Sequence, residues 1–160
     1  MSSADRRTGF WHLGFTVADM DRSLPFYRDL VGLEVEQLKD HRSRDFDRLS
    51  NNAGTQVRVA WLSSGPFMMQ LIQYLRGGDP SSQLRPQHNR VGSPHLSFFV
   101  DDVDAKYAQL RAATGVTLLT DAPVPMGPSA RSFYALDPDG VPVEFWQWTD
   151  PAMAHLRVTP

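Results

Sequence analysis

The sequence contains no cysteine, which excludes disulfide bonds, thiolate nucleophiles and cysteine-based zinc sites. No apolar run approaches the roughly 18 residues that a membrane-spanning helix needs, and residues 1–7 lack the apolar core of a signal peptide. Basic residues are not in excess, because the formal net charge is -2 and the isoelectric point is about 6.2. These absences predict a cytoplasmic protein with neither a membrane nor a nucleic-acid partner.

Two stretches of the chain repeat each other. Residues 12–21 read HLGFTVADMD and residues 95–104 read HLSFFVDDVD, so that six of ten positions match at an offset of 83 (95 − 12). A second pair, QLIQY at 70–74 and EFWQW at 144–148, has an offset of 74 (144 − 70). The 160 residues therefore contain two similar halves, and the surplus of about nine residues in the first half is expected in its polar stretch 40–55.

Hydrophobic periodicity predicts the same order of elements in both halves, namely one strand, one helix and three further strands. In the first half we predict a helix that is capped by Asp21 and ends before Gly32, and strands at 11–17, 34–39, 56–63 and 67–75. In the second half we predict a helix that is capped by Asp102 and ends before Gly115, and strands at 96–100, 117–120, 132–136 and 141–147.

The division of the chain follows from these elements and from composition. The stretch between the halves is rich in Gly, Pro, Ser and Gln, which is typical of a linker. The predicted units are a first module at 8–75, a linker at 76–93, a second module at 94–149 and a C-terminal tail at 150–160.

Four polar residues occupy matching places in the two halves, namely His12 with Gln70 and His95 with Glu144. Side chains alternate between the two faces of a strand, and the strand neighbours of these four residues are mostly apolar. We therefore expect the apolar neighbours to pack against the helices and all four polar side chains to point away from them. If the sheets curve, the four side chains line a cavity.

Two imidazoles and a carboxylate suit a divalent cation such as zinc, nickel, cobalt, manganese or iron, with the neutral Gln70 as a weaker ligand. Matching places in a repeat favour a metal site over ordinary packing, because each histidine is followed by an acid or an amide. The net ligand charge of about −1 would leave the metal a good Lewis acid. In contrast, His41, His88 and His155 are predicted to be solvated loop residues.

Further pieces of sequence carry a family resemblance. They are HLGFTV at 12–17, FYRDLVGL at 26–33, PHLSF at 94–98, and YALDPDG at 134–140 leading into VEF at 143–145. From about residue 11 to residue 148, the chain resembles the vicinal oxygen chelate superfamily. That superfamily includes glyoxalase I, methylmalonyl-CoA epimerase, fosfomycin resistance enzymes, bleomycin resistance proteins and extradiol dioxygenases.

The resemblance implies an α+β fold in which two βαβββ modules form a curved mixed sheet around a metal cavity, with the helices on the outer face. It implies that His12, Gln70, His95 and Glu144 are the metal ligands. It also implies a small-molecule substrate and a homodimer, whose metal site forms within one chain or across two. The bleomycin resistance proteins lack these ligands, so that non-enzymatic branch is disfavoured.

The ligand pattern is most similar to that of methylmalonyl-CoA epimerases, which also carry a second catalytic glutamate just before the third strand. The corresponding stretch of this chain, 50–56, has no carboxylate. An epimerase needs one base on each face of the reacting carbon. Asp45 or Asp47 would supply the second base only if the polar stretch folds inward.

The leading hypothesis is a metal-dependent, glyoxalase-like lyase or isomerase/epimerase. It would stabilise an enediolate or enolate of a small chelating oxygenated substrate, with Glu144 as both metal ligand and catalytic base. Anionic groups of the substrate would have candidate partners in Arg58, Arg90 and Arg131.

Two alternatives stay open. The first is a non-haem iron extradiol-type dioxygenase, in which His12, His95 and Glu144 form the iron-binding triad and Gln70 supports it. Its ring-shaped substrate would stack on aromatic residues, for which the candidates are Trp61, Phe99, Trp146 and Trp148. The second alternative is a small-molecule-binding or resistance protein without turnover.

Overall fold

The computed structural model of the protein describes residues 9–79 and 91–156. Most of the predicted linker, including His88 and Arg90, lies outside the described residues. None of the helices in the described part of the chain is long and apolar enough to span a bilayer.

The first module contains four strands and two helical segments. Its strands are β1 (Leu13–Thr16), β2 (Glu34–His41), β3 (Gln56–Ser64) and β4 (Phe67–Arg76). Helix α1 (Met20–Pro25) continues as a π-helical segment (Phe26–Val31), and helix α2 (Arg44–Ser50) follows β2. Gly32 ends the π-helical segment with φ 101°, a left-handed conformation that glycine adopts without a steric penalty.

The second module has one helix, α3 (Val103–Ala112). Its strands are β5 (Leu96–Phe99), β6 (Thr117–Leu118), β7 (Val124–Pro125), β8 (Ala130–Leu136) and β9 (Pro142–Trp148). A short 3₁₀ helix (Pro151–Leu156) follows β9.

Each module builds its own mixed sheet. The strand order is β1-β4-β3-β2 in the first and β5-β9-β8-β6 in the second, where β7 also pairs with β8. The first strand of each module runs parallel to the last, and the other pairs are antiparallel. The predicted α+β class with two βαβββ modules is confirmed.

The start of α1 differs from its prediction. The N-terminal cap is Asp19, whose side chain accepts a hydrogen bond from the backbone N–H of Asp21, so the predicted cap Asp21 lies in the first turn instead. In the second module Asp102 caps α3 as predicted, with acceptor bonds from the N–H groups of Asp104 and Ala105. Two acidic residues two positions apart explain the error, because either is a suitable cap.

Gln73 and Gln147, which lie three residues after Gln70 and Glu144, connect strands to the starts of helices. Gln73 accepts from the N–H of Met20 and donates to the carbonyl of Ala18, which ties β4 to the start of α1. Gln147 makes the same two bonds in the second module, to Val103 and Asp101. The repeat therefore preserves one side chain for the fold beside each candidate ligand.

The two modules meet through their helical sides and share one hydrophobic core. Lys106 of α3 donates to the carbonyl of Leu30 (3.0 Å), and Gln109 donates to that of Asp29 (3.3 Å). The buried core side chains come from the helices and from the helix-facing side of both sheets, and they include Met20, Tyr27, Leu62, Leu71, Leu96, Val103, Leu110, Phe133 and Phe145. Helices α1 and α3 thus lie in a layer between the two sheets.

A buried hydrogen bond joins the modules beside this core. The hydroxyl of Tyr27 donates to Asp137 Oδ2 (2.7 Å), and burial together with the nearby Asp137 carboxylate raises the pKa of Tyr27 well above its ordinary value. Burial also raises the pKa of Asp137, which accepts from the N–H groups of Asp139 and Val141 as well. The turn at 137–140 is therefore anchored to the first module.

Replacing Tyr27 by Phe removes the hydroxyl donor and leaves the buried Asp137 short of one partner. We expect the free energy of unfolding to fall by about 1–3 kcal/mol, measured by urea denaturation. The matched control is Tyr74→Phe, since the Tyr74 hydroxyl has no hydrogen-bond partner among the described residues, and its effect should stay within about 0.5 kcal/mol. An equal loss in both variants would contradict the anchoring role.

Candidate metal centre

The first candidate pair lies at the start of β1 and in the middle of β4. His12 immediately precedes β1, and Gln70 lies opposite Gly14 in the parallel β1–β4 register. A side chain at Gly14 would begin 3.6 Å from Gln70 Oε1 and 4.0 Å from His12 Cδ2. Glycine therefore leaves a gap between the two candidate ligands that any other residue would partly fill.

Aromatic rings surround the His12 imidazole. Its centroid lies 4.8 Å from the Trp61 ring, which meets it edge on, and 6.0 Å from the Trp11 ring. The Nδ1 atom of His12 is buried and has no hydrogen-bond partner among the described residues. A buried imidazole nitrogen without a partner is costly, so this atom calls for a proton donor or a metal ion.

The second candidate pair occupies the equivalent places of the second module. Glu144 lies opposite Ser97 in the parallel β5–β9 register, as Gln70 lies opposite Gly14. The Glu144 side chain is only 8% exposed, and its Oε1 accepts a hydrogen bond from the hydroxyl of Ser132 (2.8 Å). No lysine or arginine among the described residues forms an ion pair with this carboxylate.

Tyr134 lies beside both members of the second pair. Its ring meets the His95 ring edge on at 5.9 Å, and it lies opposite Glu144 in the β8–β9 register. Burial, followed by the Glu144 charge, raises the pKa of Tyr134, so the phenol stays protonated at neutral pH. Sequence reasoning missed Tyr134 and Ser132, although their spacing of two on one strand places both on the Glu144 face.

One chain brings the four predicted ligands together as two pairs and not as one group. In the described ranges, no three His, Asp or Glu side chains come together as a metal-binding group. The cause is the packing of the modules, because the helical sides face each other and the ligands lie on the opposite faces of the two sheets. Each face therefore carries half of the predicted ligand set.

The residues of the two halves suit a divalent cation. The first half contributes the gap at Gly14 and the Nδ1 of His12, and the second contributes the buried Glu144. In the part of the chain that the structure describes, neither that nitrogen nor that carboxylate has a partner that would replace a metal ion. Imidazole, amide and carboxylate donors are those that zinc, nickel, cobalt, manganese and iron accept in proteins. The donor chemistry therefore fits the metal that the sequence predicts.

The other aromatic candidates lie on the Glu144 face of the second module. Trp146 and Trp148 follow Glu144 at alternate positions, and their rings meet at 5.0 Å. Within residues 9–79 and 91–156, the buried indole N–H of each has no hydrogen-bond partner. Phe99 lies opposite Trp146 in the sheet register and is 43% exposed.

The two candidate arginines in the described ranges are held on the helical side of their sheets. Arg58 forms an ion pair with Asp40 (2.9 Å), and Arg131 forms a bidentate ion pair with Asp104 of α3. These hydrogen bonds raise the pKa of both guanidinium groups. Neither arginine faces the candidate ligands, so an anionic substrate group would need another partner.

The two candidate second bases have different surroundings. Asp47 in α2 accepts hydrogen bonds from the backbone N–H groups of Gly54 and Thr55 (2.9 Å each) and from the Thr55 hydroxyl (2.6 Å). Asp45 is 95% exposed and lies 3.9 Å from Arg48. Asp47 is committed to holding the loop that follows α2, and Asp45 points to solvent, so neither serves as a base near Glu144.

The remaining described histidines lie away from both pairs. His41 ends β2 and meets the Phe46 ring edge on at 6.1 Å, so it belongs to a strand and not to a loop. His155 lies in the 3₁₀ helix, where its Nδ1 is 2.7 Å from the carbonyl oxygen of Ala152.

A family profile described as the glyoxalase/bleomycin resistance protein/dioxygenase superfamily matches residues 9–145. Lactoylglutathione lyase of Haemophilus influenzae is 28% identical over 137 residues, which are 84% of this chain and 88% of that enzyme.

Two solved structures illustrate the similarity of fold. A glyoxalase family protein from Bacillus cereus superposes with a TM-score of 0.80 at 17% identity, covering 94% of this chain and all of that one. A fosfomycin resistance protein from Listeria monocytogenes, solved with Mn(II) and sulfate, gives a TM-score of 0.59 at 18% identity, covering 95% of this chain and all of that one.

The three hydrogen bonds to Asp47 predict a pH dependence of α2. They hold the pKa of its carboxyl below the ordinary value of 3.8, the Thr55 hydroxyl bond first among them. The stabilisation is therefore complete above the ordinary pKa and is lost as the pH falls through the lower folded value. In an NMR titration, the amide protons of Gly54 and Thr55 should shift with a midpoint below 3.8.

Asp47→Asn should abolish that titration and speed hydrogen exchange of the two amides roughly threefold to tenfold. Asp45→Asn is the matched control and should leave both observations unchanged. A wild-type midpoint at or above the ordinary aspartate value would contradict the assignment.

Proposed function

Because the chain belongs to the glyoxalase/bleomycin resistance protein/dioxygenase superfamily, we propose that it is a metal-dependent enzyme of the glyoxalase-like type. Its substrate is a small compound with adjacent oxygen atoms that chelates the metal. The reaction is lyase or isomerase chemistry that proceeds through an enediolate or enolate.

One observation carries the proposal. The carboxylate of Glu144 is buried on the face of its sheet that the helices do not cover, with one hydroxyl donor, Ser132, and without a basic partner in the described residues. A buried negative charge is expensive unless a cation or several hydrogen bonds compensate it. A divalent metal ion held by Glu144 and His95 would supply that compensation.

The roles of the side chains follow from their positions. His12, Gln70, His95 and Glu144 hold the metal, which when bound supplies Lewis-acid stabilisation of negative charge that develops on a substrate oxygen. Glu144 takes the proton from the substrate carbon. The Ser132 hydroxyl keeps the carboxylate oriented, which fixes the direction of proton transfer, and the protonated Tyr134 lies opposite Glu144 on the neighbouring strand.

The complete site requires two copies of the chain. Each chain presents His12 with Gln70 on one outer face and His95 with Glu144 on the other, so we infer a homodimer in which the first module of one copy faces the second module of its partner. Two-fold symmetry then produces two equal sites. The exposed rings of Phe10 (75% exposed) and Trp11 (65%), next to His12, are available for such an interface.

The relatives support the class of chemistry without specifying the substrate. The lyase from H. influenzae is a lactoylglutathione lyase, and the structure from L. monocytogenes contains Mn(II). The dioxygenase alternative draws on Trp146 and Trp148 beside Glu144, which offer a surface for an aromatic ring. The identity of the native metal separates the two, since the alternative requires iron and oxygen.

Metal content is the first test. In protein purified without added metal, elemental analysis should find about one divalent ion per chain. His12→Ala, His95→Ala and Glu144→Ala should each lower metal affinity by at least about 100-fold, and Gln70→Ala by less, because a neutral amide contributes less than an imidazole or a carboxylate. The control Glu34→Ala removes an exposed carboxylate and should change nothing. Full metal content in Gln70→Ala and Glu144→Ala would refute the site, whereas iron with oxygen uptake on catechols would favour the dioxygenase.

A mixed dimer tests whether the site crosses between chains. His12→Ala and Glu144→Ala chains carrying different affinity tags are co-expressed, and the doubly tagged dimer is isolated. One site then receives both defects and the other receives none, so the dimer should hold about half the wild-type metal while each variant homodimer holds little. If the site formed within one chain, the mixed dimer would be as depleted as its parents.

A further inference from the structure

We propose that a cavity at the junction of the two modules is a second ligand site, which binds a small monocarboxylate with an apolar body. The cavity has a volume of about 270 Å³. It lies on the helical side of both sheets, whereas the candidate metal ligands lie on the opposite faces. The site therefore needs no metal and does not depend on the proposed function.

One wall of the cavity is a stripe along the continuous helix that α1 and the π-helical segment form. Arg22, Pro25, Phe26, Asp29 and Leu30 line the cavity, and residues three and four positions apart share one helix face. With a rise of roughly 1.5 Å per residue, the two charged residues of this stripe lie about 10 Å apart along the axis. The other three side chains are apolar, so the wall is an apolar surface with a charged residue towards each end.

The π-helical part of this wall also carries hydrogen bonds between the modules. Turns of this kind are rare and are often found at functional sites. The backbone carbonyl groups of Asp29 and Leu30 accept hydrogen bonds from Gln109 and Lys106 of α3. A ligand in the cavity would therefore lie against the same segment that connects the first module to the second.

The opposite wall comes from the second module. It consists of the residues that follow α3, among them Gly115 and Val116, and of Pro138 in the turn at 137–140. Gly115 has φ 79°, and a Cβ atom built on it would meet no atom within 4 Å, so the space beside it is open. Because both modules line the cavity, a bound ligand would stabilise their relative orientation.

Arg22 supplies the positive charge of the site. In the ranges that the structure describes, no carboxylate lies within 4.0 Å of its guanidinium nitrogens. Its Nη2 atom donates to the carbonyl oxygen of Pro138 at 3.5 Å, which is a long and weak hydrogen bond. A guanidinium group has five N–H donors, so most of them are available to a carboxylate.

The second charged residue of the wall does not cancel Arg22. The Asp29 carboxylate accepts two hydrogen bonds from Arg28 (2.6 Å and 2.7 Å), and the first effect of this pairing is to lower the pKa of Asp29. Arg28 thus neutralises Asp29, and the charge of Arg22 is left over. One negative charge on the ligand matches it, whereas a cation would be repelled.

The size and the apolar lining define the rest of the ligand. The cavity is slightly smaller than the roughly 300–1,000 Å³ of sites that bind drug-sized molecules, so it suits a molecule with a single ring. Pro25, Phe26 and Val116 favour an apolar body, because its burial removes apolar surface from water. Benzoate is the simplest probe that combines this body with one carboxylate.

A titration of ¹⁵N-labelled protein with benzoate tests the site. The protein is first treated with EDTA, so that the carboxylate has no metal ion to bind. Benzoate should shift the amide signals of Gly115 and Val116 in a saturable way with a Kd below about 10 mM, and the signal of Gly14 at the candidate metal centre should not move. Benzamide and benzylammonium, which lack the negative charge, should bind at least about tenfold more weakly.

Two variants with matched controls test the two features of the cavity. Arg22→Ala should weaken benzoate binding at least about tenfold, whereas Arg44→Ala removes an exposed arginine of α2 outside the cavity and should have no effect. Thr114→Trp places a large side chain at the exposed rim and should abolish binding. Thr117→Trp makes the same change at an exposed position that does not line the cavity, and binding should persist.

Three results would overturn the site. They are the absence of saturable shifts at Gly115 and Val116, equal binding by the Thr114→Trp and Thr117→Trp variants, and binding of benzamide as tight as that of benzoate. The last of these would show that the cavity does not select a carboxylate. None of them bears on metal content, so the failure of this site and the failure of the proposed function are distinguishable.

Discussion

The alternation of side chains across each sheet is the constraint on which the rest of the structure depends. Every strand that carries a candidate ligand also carries apolar residues on its other face, and those residues close a single core between the modules. Because helices α1 and α3 lie in that core, the faces with the candidate ligands point outward. The packing that stabilises the fold therefore also decides which polar side chains one chain brings together.

Much of the fold follows from the sequence because the two halves of the chain repeat the same pattern of elements. Where one copy of a motif is ambiguous, the second copy can resolve it. The repeat offset of 83 matches the cap Asp102 with Asp19 (102 − 83), and using that match would have avoided the wrong cap Asp21. The positions that match between the two halves are also of two kinds. Gln73 and Gln147 tie strands to helix starts, whereas Gln70 and Glu144, three residues earlier, make no bond of that kind. The pairing of His12 with Gln70, and of His95 with Glu144, follows from the same two-fold pattern.

Other features depend on contacts that no local pattern contains. Helix α2 has seven residues and contacts the sheet through Phe46. A segment of this length with so few apolar residues has no periodic pattern from which a helix could be predicted. Ser132 and Tyr134 lie near Glu144 because β8 pairs with β9 in one register. Neither strand segment by itself determines that register. The mutual orientation of the modules depends on how two helical surfaces pack against each other. Hydrophobic periodicity shows which face of each helix is apolar, but it does not show how the two faces fit together.

For the dimer that we propose, the outward position of the two half-sites has a thermodynamic consequence. Binding of the metal and association of the chains become linked equilibria, because the same ion bonds to residues of both copies. If the second chain raises the metal affinity by some factor, the metal raises the association constant of the two chains by the same factor. Such a protein would sense dilution and metal depletion as one variable, and the loss of either would release the other.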